Sequence, residues 1–284
     1  MLIEHLLYLY SRYFPLDRGK WRLVERFWPH AVGSGSRIRT AILYAGGFRM
    51  KCDLNLLLQR QFYFFGTYYL ERENLACWSA YSKQAKVIFD VGANLGIYSL
   101  TSAASSPGAR IFAFEPTPAL AAHLSQTLAT NRLDQVTIVQ KAVARTSGSA
   151  ALNLWGSVAE GNEGMNFITQ QAVSEQSLTV ETVSLDDFCA LKGIQHIDLL
   201  KIDIQGNEPE ALRGAARLLA ERRIRCIFME LNWSEDFSLP CPASEAVEIL
   251  TNCGFQFALP KAGALPQAAG PWLRDLSDVV AILP

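Results

Sequence analysis

The middle of the chain alternates short apolar runs with longer segments of helical periodicity. Val87–Val91 is a β-rich run ended by Gly92, and residues 97–104 predict a helix broken at Ser105-Ser106-Pro107-Gly108. Arg110–Phe114 predicts a second strand, Pro118–Asn131 a second helix and Val136–Val139 a third strand. Residues 197–204 form a fourth run, nearly continuous in apolar residues, as a strand buried on both faces should be. Residues 210–219 predict a helix, 225–231 a fifth strand, and 244–252 a helix closed by Gly254. Strands at 255–259 and 279–283 complete the series. Such alternation predicts an α/β chain with a parallel, doubly wound sheet covered by helices.

Two segments depart from this rhythm. Residues 1–85 are mostly helical, with one or two short strands expected within 48–58 and the leucines from Leu54 to Leu58 assigned to core. Between the third and fourth strands, candidate strands at 150–155 and 178–184 flank a polar loop with Gly156, Gly161, Asn162, Gly164 and Asn166. This predicts an inserted hairpin, and a loop of that length is unusual unless it is functional or disordered. The expected division is an N-terminal helical, aromatic extension over 1–85 and the main α/β domain over 86–284.

Composition narrows the picture. With 284 residues, half of them apolar and 19% charged, the chain is globular rather than disordered or fibrous. The formal net charge of −1 argues against a general nucleic-acid binder. Charge is unevenly placed: residues 1–85 hold 12 Lys/Arg against 6 Asp/Glu, and the remainder 14 against 21. The same front segment holds 17 of the 30 aromatic residues, so the two parts are expected to do different jobs. Six cysteines without a C-x-x-C pair suggest free thiols in a reducing compartment, and four scattered histidines argue against zinc. The apolar opening is interrupted by Glu4 and lacks a basic flank, so neither a cleaved leader nor a span is expected, and the cytoplasm is the default location.

The strongest chemical signal is Asp90-Val91-Gly92-Ala93-Asn94-Leu95-Gly96, which follows the first strand and opens a helix. Gly92 permits a sharp turn and close approach of a ligand to the backbone, and the helix start offers free N–H groups. Asp90 can hold a cationic ammonium, and Glu115, closing the next strand, can accept both hydroxyls of a ribose. A dinucleotide would instead want G-x-G-x-x-G and no acid facing its pyrophosphate. The pattern therefore favours S-adenosyl-L-methionine over a nicotinamide, a non-binding turn being the plainer alternative.

Four ordered motifs carry a family resemblance: Phe89–Gly96, Phe114-Glu115-Pro116-Thr117-Pro118, Lys141-Ala142-Val143, and the stretch from Leu200 to Glu208. Weaker similarity extends back to Phe65–Tyr69 and forward to Phe228-Met229-Glu230. Over roughly residues 50–232 the chain resembles the FkbM family of S-adenosylmethionine-dependent methyltransferases. The resemblance implies a class I methyltransferase (Rossmann-like) fold and O-methylation of a sugar, glycolipid or natural product. It departs at one position: the family pattern Asp-x-Glu-Gly-x-Glu has Gln205 as its middle residue here.

The expected donor site comprises Asp90, Gly92, Ala93, Asn94, Gly96 and Glu115, with Lys141 and Ala142 beside the adenine. Methyl transfer needs an acceptor oxygen held in line, and a carboxylate to take the hydroxyl proton. Asp203, at the carboxyl end of the fourth strand, is the candidate base, with Glu208 and Glu230 as catalytic partners. Each has a structural alternative: helix capping for Asp203, a favourable first-turn acid for Glu208, a hydrogen bond for Glu230. Magnesium held by these three acids is the mechanistic alternative, made less favourable by Gln205. His123 and His196 lie away from the strand ends and read as structural.

For the acceptor, residues 50–85 and the 156–177 loop are the candidates. Phe62, Tyr63, Phe64, Phe65, Tyr68 and Tyr69 suggest an aromatic wall, with Tyr68, Tyr69, Asn162 and Asn166 as substrate-binding residues. The basic front segment also raises a peripheral membrane contact. An N- or C-methyltransferase, or a cofactor-binding module that has lost catalysis, are the competing functions.

Overall fold

The computed structural model describes residues 2–15, 19–32, 36–153, 167–169, 177–231, 242–261, 264, 266–275 and 278–284. The described residues fall into two compact units, one up to Arg72 and one from Glu73 onward.

The first unit contains helices α1 (Leu2–Tyr13) and α2 (Lys20–Val32), the antiparallel strands β1 (Ile38–Ile42) and β2 (Arg49–Asp53), helix α3 (Leu57–Phe65), and a 3-10 turn at Tyr69–Glu71. Its apolar centre joins Val24, Trp28, Leu54, Phe64 and Phe65, with Leu7 and Tyr8 packed against them. Helix α3 ends at Gly66, whose φ of 71° suits a glycine C-cap and whose N–H returns to the Phe62 carbonyl. Arg12 reaches the carbonyls of Ile42 (2.6 Å), Phe62 (3.0 Å) and Tyr63 (2.6 Å), tying the end of α3 to the end of β1.

Three expectations are corrected here. One strand of the hairpin lies at 38–42, outside the 48–58 window, where the exposed Ile38, Thr40 and Ile42 leave no clear alternation of hydrophobicity. Of the leucines from 54 to 58, only Leu54 is fully buried, and Leu57 is exposed, because α3 begins there and turns it outward. The aromatic wall does not form as one surface: Phe62, Phe64 and Phe65 are buried core.

The second unit carries α4 (Arg72–Ser82) and then a strand–helix series. Strands β3 (Val87–Val91), β4 (Arg110–Phe114) and β5 (Val136–Val139) alternate with α5 (Ile97–Ser105) and α6 (Pro118–Asn131). After an inserted sheet come α7 (Leu185–Lys192), β10 (Leu199–Ile202), α8 (Glu208–Arg213), α9 (Ala216–Ala220), β11 (Cys226–Glu230), α10 (Ala243–Asn252), β12 (Gln256–Ala258) and β13 (Asp278–Ile282). The seven main strands run in the order β12-β13-β11-β10-β3-β4-β5. All are parallel except β13, which is antiparallel to both β11 and β12.

Alternate residues face opposite sides of this sheet. Phe89, Val91, Phe112, Phe114, Leu200, Ile202, Ile227 and Met229 face the core under α7 to α10, where the Phe188 ring meets those of Phe89, Phe112 and Phe114. On the opposite face Trp78 meets Tyr98 and Phe228 edge-on and donates its indole N–H to Ser102 Oγ (2.8 Å).

The insertion is more than a hairpin. β6 (Ala142–Val143), β7 (Gly148–Asn153), β8 (Phe167–Thr169) and β9 (Ser177–Val183) form a four-stranded sheet in the order β6-β9-β7-β8. β6 pairs parallel with β9 and so extends the insertion back to the motif containing Ala142. The helix expected over 210–219 is two helices, broken at Gly214-Ala215. A Cβ on Gly214 would sit 2.2 Å from the Ala144 carbonyl oxygen, so the break admits the backbone of the insertion. The fourth strand is regular only over Leu199–Ile202, with Ile197 making an isolated parallel bridge to Ile224.

Candidate active site

Strand register gathers the chemistry on one face. Lys201 in β10 is level with Asp90 in β3 and Phe228 in β11. Asp203 lies two residues beyond Lys201, and Glu230 two beyond Phe228, so all four polar residues fall on the α5 side near the carboxyl ends of their strands. That is where ligands settle in open α/β sheets.

The turn after β3 is fixed by the end of β4. Gly92 N–H (3.1 Å) and Ala93 N–H (2.9 Å) donate to the Phe114 carbonyl. Glu115 accepts from Asn94 N–H on one carboxylate oxygen and from Thr117 N–H on the other, each at 2.8 Å. Gly92 has φ 79°, and a Cβ there would sit 1.9 Å from the Asp203 carbonyl oxygen, so the β3 and β10 ends meet only because it is glycine. At Gly96 a Cβ would strike the Leu124 side chain.

Asp90 accepts from Ser99 N–H (2.9 Å) and Ser99 Oγ–H (2.7 Å), both on its Oδ2, capping the first turn of α5 from the neighbouring strand. Its Oδ1 is buried without a hydrogen-bond partner. Burial pushes both Asp90 and Glu115 above the ordinary carboxylate range. A buried, open acceptor beside a glycine turn and a second fixed carboxylate fits a cationic ligand bearing a diol, and S-adenosyl-L-methionine has both features.

The acid cluster has a specific internal order. Lys201 Nζ donates to Asp203 Oδ2 at 2.7 Å and lies 4.4 Å from the centre of the Tyr98 ring. The Gln205 side-chain amide donates to Asp203 Oδ1 and to Glu230 Oε2, each at 3.0 Å. Burial raises the Asp203 carboxyl, but Lys201 and the hydrogen bonds of Glu230, Lys201 and Gln205 outweigh it and hold the group below its ordinary value. Burial, then the adjacent Asp203 charge, pushes Glu230 up to about 9. One carboxylate is thus charged and its neighbour holds a proton. Gln205 holds this bridge from a left-handed backbone, φ 54°, a conformation rare outside glycine.

Glu208 is placed differently. Its carboxylate turns back to accept from Ile204 N–H (2.9 Å), closing the turn before α8, and burial raises it to about 7. The structure therefore brings Asp203 and Glu230 together through Gln205 and gives Glu208 a capping contact. Among the described residues no group of three His, Cys, Asp or Glu side chains is arranged to hold a metal ion.

Of the other expected residues, Lys141 pairs with Glu181 of β9 at 2.6 Å, and Ala142 is buried with Leu152 and Val180 in the small sheet. Tyr68 and Tyr69 belong to the first unit, where Tyr69 packs on Phe65 with ring centres 4.4 Å apart. Asn162 and Asn166 lie outside the described residues, as does most of the 156–177 loop. Sequence reasoning missed Lys201. Its signal was a single cation inside an apolar run, Leu199-Leu200-Lys201-Ile202, where burial demands a partner.

Comparison with known proteins agrees with this geometry. Residues 90–257 match the family described as the methyltransferase FkbM domain. The chain is 26% identical over 184 residues to the 2-O-methyltransferase NoeI of Sinorhizobium fredii, covering 61% of this chain and 74% of that protein. It is 29% identical over 153 residues to the 31-O-demethyl-FK506 methyltransferase FkbM of Streptomyces tacrolimicus, covering 45% of this chain and 58% of the relative. A third relative, the hexuronic acid methyltransferase AglP of Haloferax volcanii, is 24% identical over 180 residues, covering 55% and 70% respectively. With the family match spanning more than half its length, and with a mostly parallel doubly wound sheet, the chain belongs to the FkbM family of methyltransferases and has the class I fold.

Proposed function

We propose that the chain methylates a hydroxyl oxygen of a sugar, glycolipid or natural product, with Asp203 as the group that receives the hydroxyl proton. The observation that carries this reading is the Asp203–Gln205–Glu230 bridge at the carboxyl ends of β10 and β11. Asp90, the Gly92–Gly96 turn and Glu115 would hold S-adenosyl-L-methionine, with Lys141 and Ala142 flanking it. Bound there, the donor supplies an electrophilic sulfonium methyl group, so the protein's own task is to position the acceptor and manage one proton.

Asp203 suits that task because Lys201 keeps it ionised while Glu230 stays protonated beside it. As a proton arrives on Asp203, the hydrogen bonds from Gln205 and Glu230 can redistribute to share it across the pair. The names of two relatives specify oxygen positions and a third names a hexuronic acid, which supports hydroxylated acceptors of this class.

The test is production of S-adenosylhomocysteine against a panel of glycans and hydroxylated metabolites, followed by mass spectrometry of the product. Asp203→Asn is expected to lower turnover by about 10²–10⁴-fold with donor affinity retained. Near-normal turnover in that variant, or a methyl group found on nitrogen or carbon, would overturn the reading. Activity lost to a chelator and restored by magnesium would replace the carboxylate base by a metal.

A further inference from the structure

Helix α1 is built inside out. Three polar residues face inward while His5 is exposed: Glu4 pairs with Arg39 and accepts from Tyr63 Oη (3.1 Å), Ser11 is buried against the Phe64 carbonyl, and Arg12 serves the carbonyls at the end of α3. Its outward stripe is Leu2, Leu6, Leu9 and Tyr13, spaced at helical intervals and exposed by 73, 56, 39 and 71%. A helix that keeps Glu4 and Arg12 inside and three of its four leucines outside has a surface shaped for an apolar neighbour.

Helix α2 supplies the matching charge. Its inner residues Val24 and Trp28 share one cluster with Leu7 and Tyr8 of α1, so the two helices pack side by side and each leaves its outer face exposed. On its outer face α2 exposes Arg22, Leu23, Arg26 and Phe27. The acids of the two helices are paired, buried Glu4 by Arg39 and partly exposed Glu25 by Arg60. Among the described residues of these helices, the partly exposed Glu25 is bound to Arg60, and the exposed charged side chains other than histidine are Arg22 and Arg26.

We infer that this α1–α2 face docks on an anionic lipid bilayer. The leucine stripe enters the boundary of the acyl chains while Arg22 and Arg26 meet lipid phosphates, their aliphatic stems lying along apolar neighbours. The Arg26 guanidinium already lies over the Phe27 ring at 5.9 Å. A second copy of the chain is the poorer occupant, because a two-fold contact sets this patch against itself and brings arginines toward arginines.

Flotation of the full chain with vesicles tests the inference. Binding is expected to phosphatidylglycerol–phosphatidylcholine vesicles and not to phosphatidylcholine alone, with release at high salt. Leu6→Glu with Leu9→Glu should weaken it by on the order of tenfold or more. Arg22→Gln with Arg26→Gln, both at exposed positions, should cost about fivefold per arginine. Far-UV circular dichroism and donor binding equal to the parent show that each variant is folded. The inference is overturned if the parent chain ignores anionic vesicles at low salt, or if folded variants of both kinds float unchanged. It is equally overturned by a dimer that the leucine variant dissociates, which would assign the face to a second copy.

Discussion

Gln205 is where a single side chain decides the state of the site. An amide donates to both Asp203 and Glu230, whereas a carboxylate at that position cannot donate and would add a second negative charge beside Asp203. Gln205→Glu is therefore expected to destabilise the protein at neutral pH by about 1–3 kcal/mol, read by chemical denaturation, and to recover part of that loss on acidification. Equal stability of the two proteins across pH would show that the bridge is not what orders the cluster. Glu115 offers a second test. It ties Asn94 and Thr117 together and, in the donor site proposed above, would accept from the ribose, so Glu115→Ala should weaken donor affinity by roughly 1.5–3 kcal/mol in calorimetry. Unchanged affinity would remove Glu115 from the donor site.

At the scale of elements, the junction of β3 and β10 depends on an absent side chain. Gly92→Ala combines a positive φ with a Cβ placed on the Asp203 backbone, and backbone rather than a flexible side chain must yield. The expected cost is about 1–3 kcal/mol or more of stability, with donor affinity falling in parallel. A variant of normal stability and affinity would show the two strand ends to be looser than described. The same elements show what could be read in advance. β3, β4, β5 and α6 were legible to the residue, because their apolar runs are bounded by glycine, proline or polar punctuation. The hairpin strand at 38–42 was not, since its side chains follow no clean alternation. The split between α8 and α9 was hidden because helical periodicity continues across Gly214, and only the approach of Ala144 reveals the need for a break. In the site, Asp203 and Glu230 were legible as strand-end acids; Lys201, whose ion-pair partner stands only two residues on, was missed because its contact with the Tyr98 ring joins segments far apart in sequence.

For the whole molecule, the raised acids set how stability varies with pH. Glu230, at about 9, and Glu208, at about 7, hold protons in the folded chain that the unfolded chain releases near 4.5. Their contribution is complete below that value and is lost as pH rises, through about 7 for Glu208 and about 9 for Glu230. Each held proton adds a slope of about 1.4 kcal/mol per pH unit across its window. Asp203, held low by Lys201, acts in the opposite sense only in stronger acid. Stability should therefore decline from pH 5 to pH 9, and Glu230→Gln should flatten the upper part of that decline. Denaturation midpoints at several pH values decide it, and a parent and variant with superimposable profiles would show that Glu230 is ionised at neutrality. Asp278, opposite Glu230 in β13, adds to the local negative charge and is part of why the proton stays.

The position of β13 carries a consequence in time. It lies between β11 and β12, both of which precede it in the chain, and pairs with each in antiparallel register. During synthesis both neighbours emerge first and must wait, each presenting an unpaired rim of backbone donors and acceptors. The sheet closes only when residues 278–282 arrive to fill the slot, so the nascent chain is most open to mispairing just before β13 leaves the ribosome.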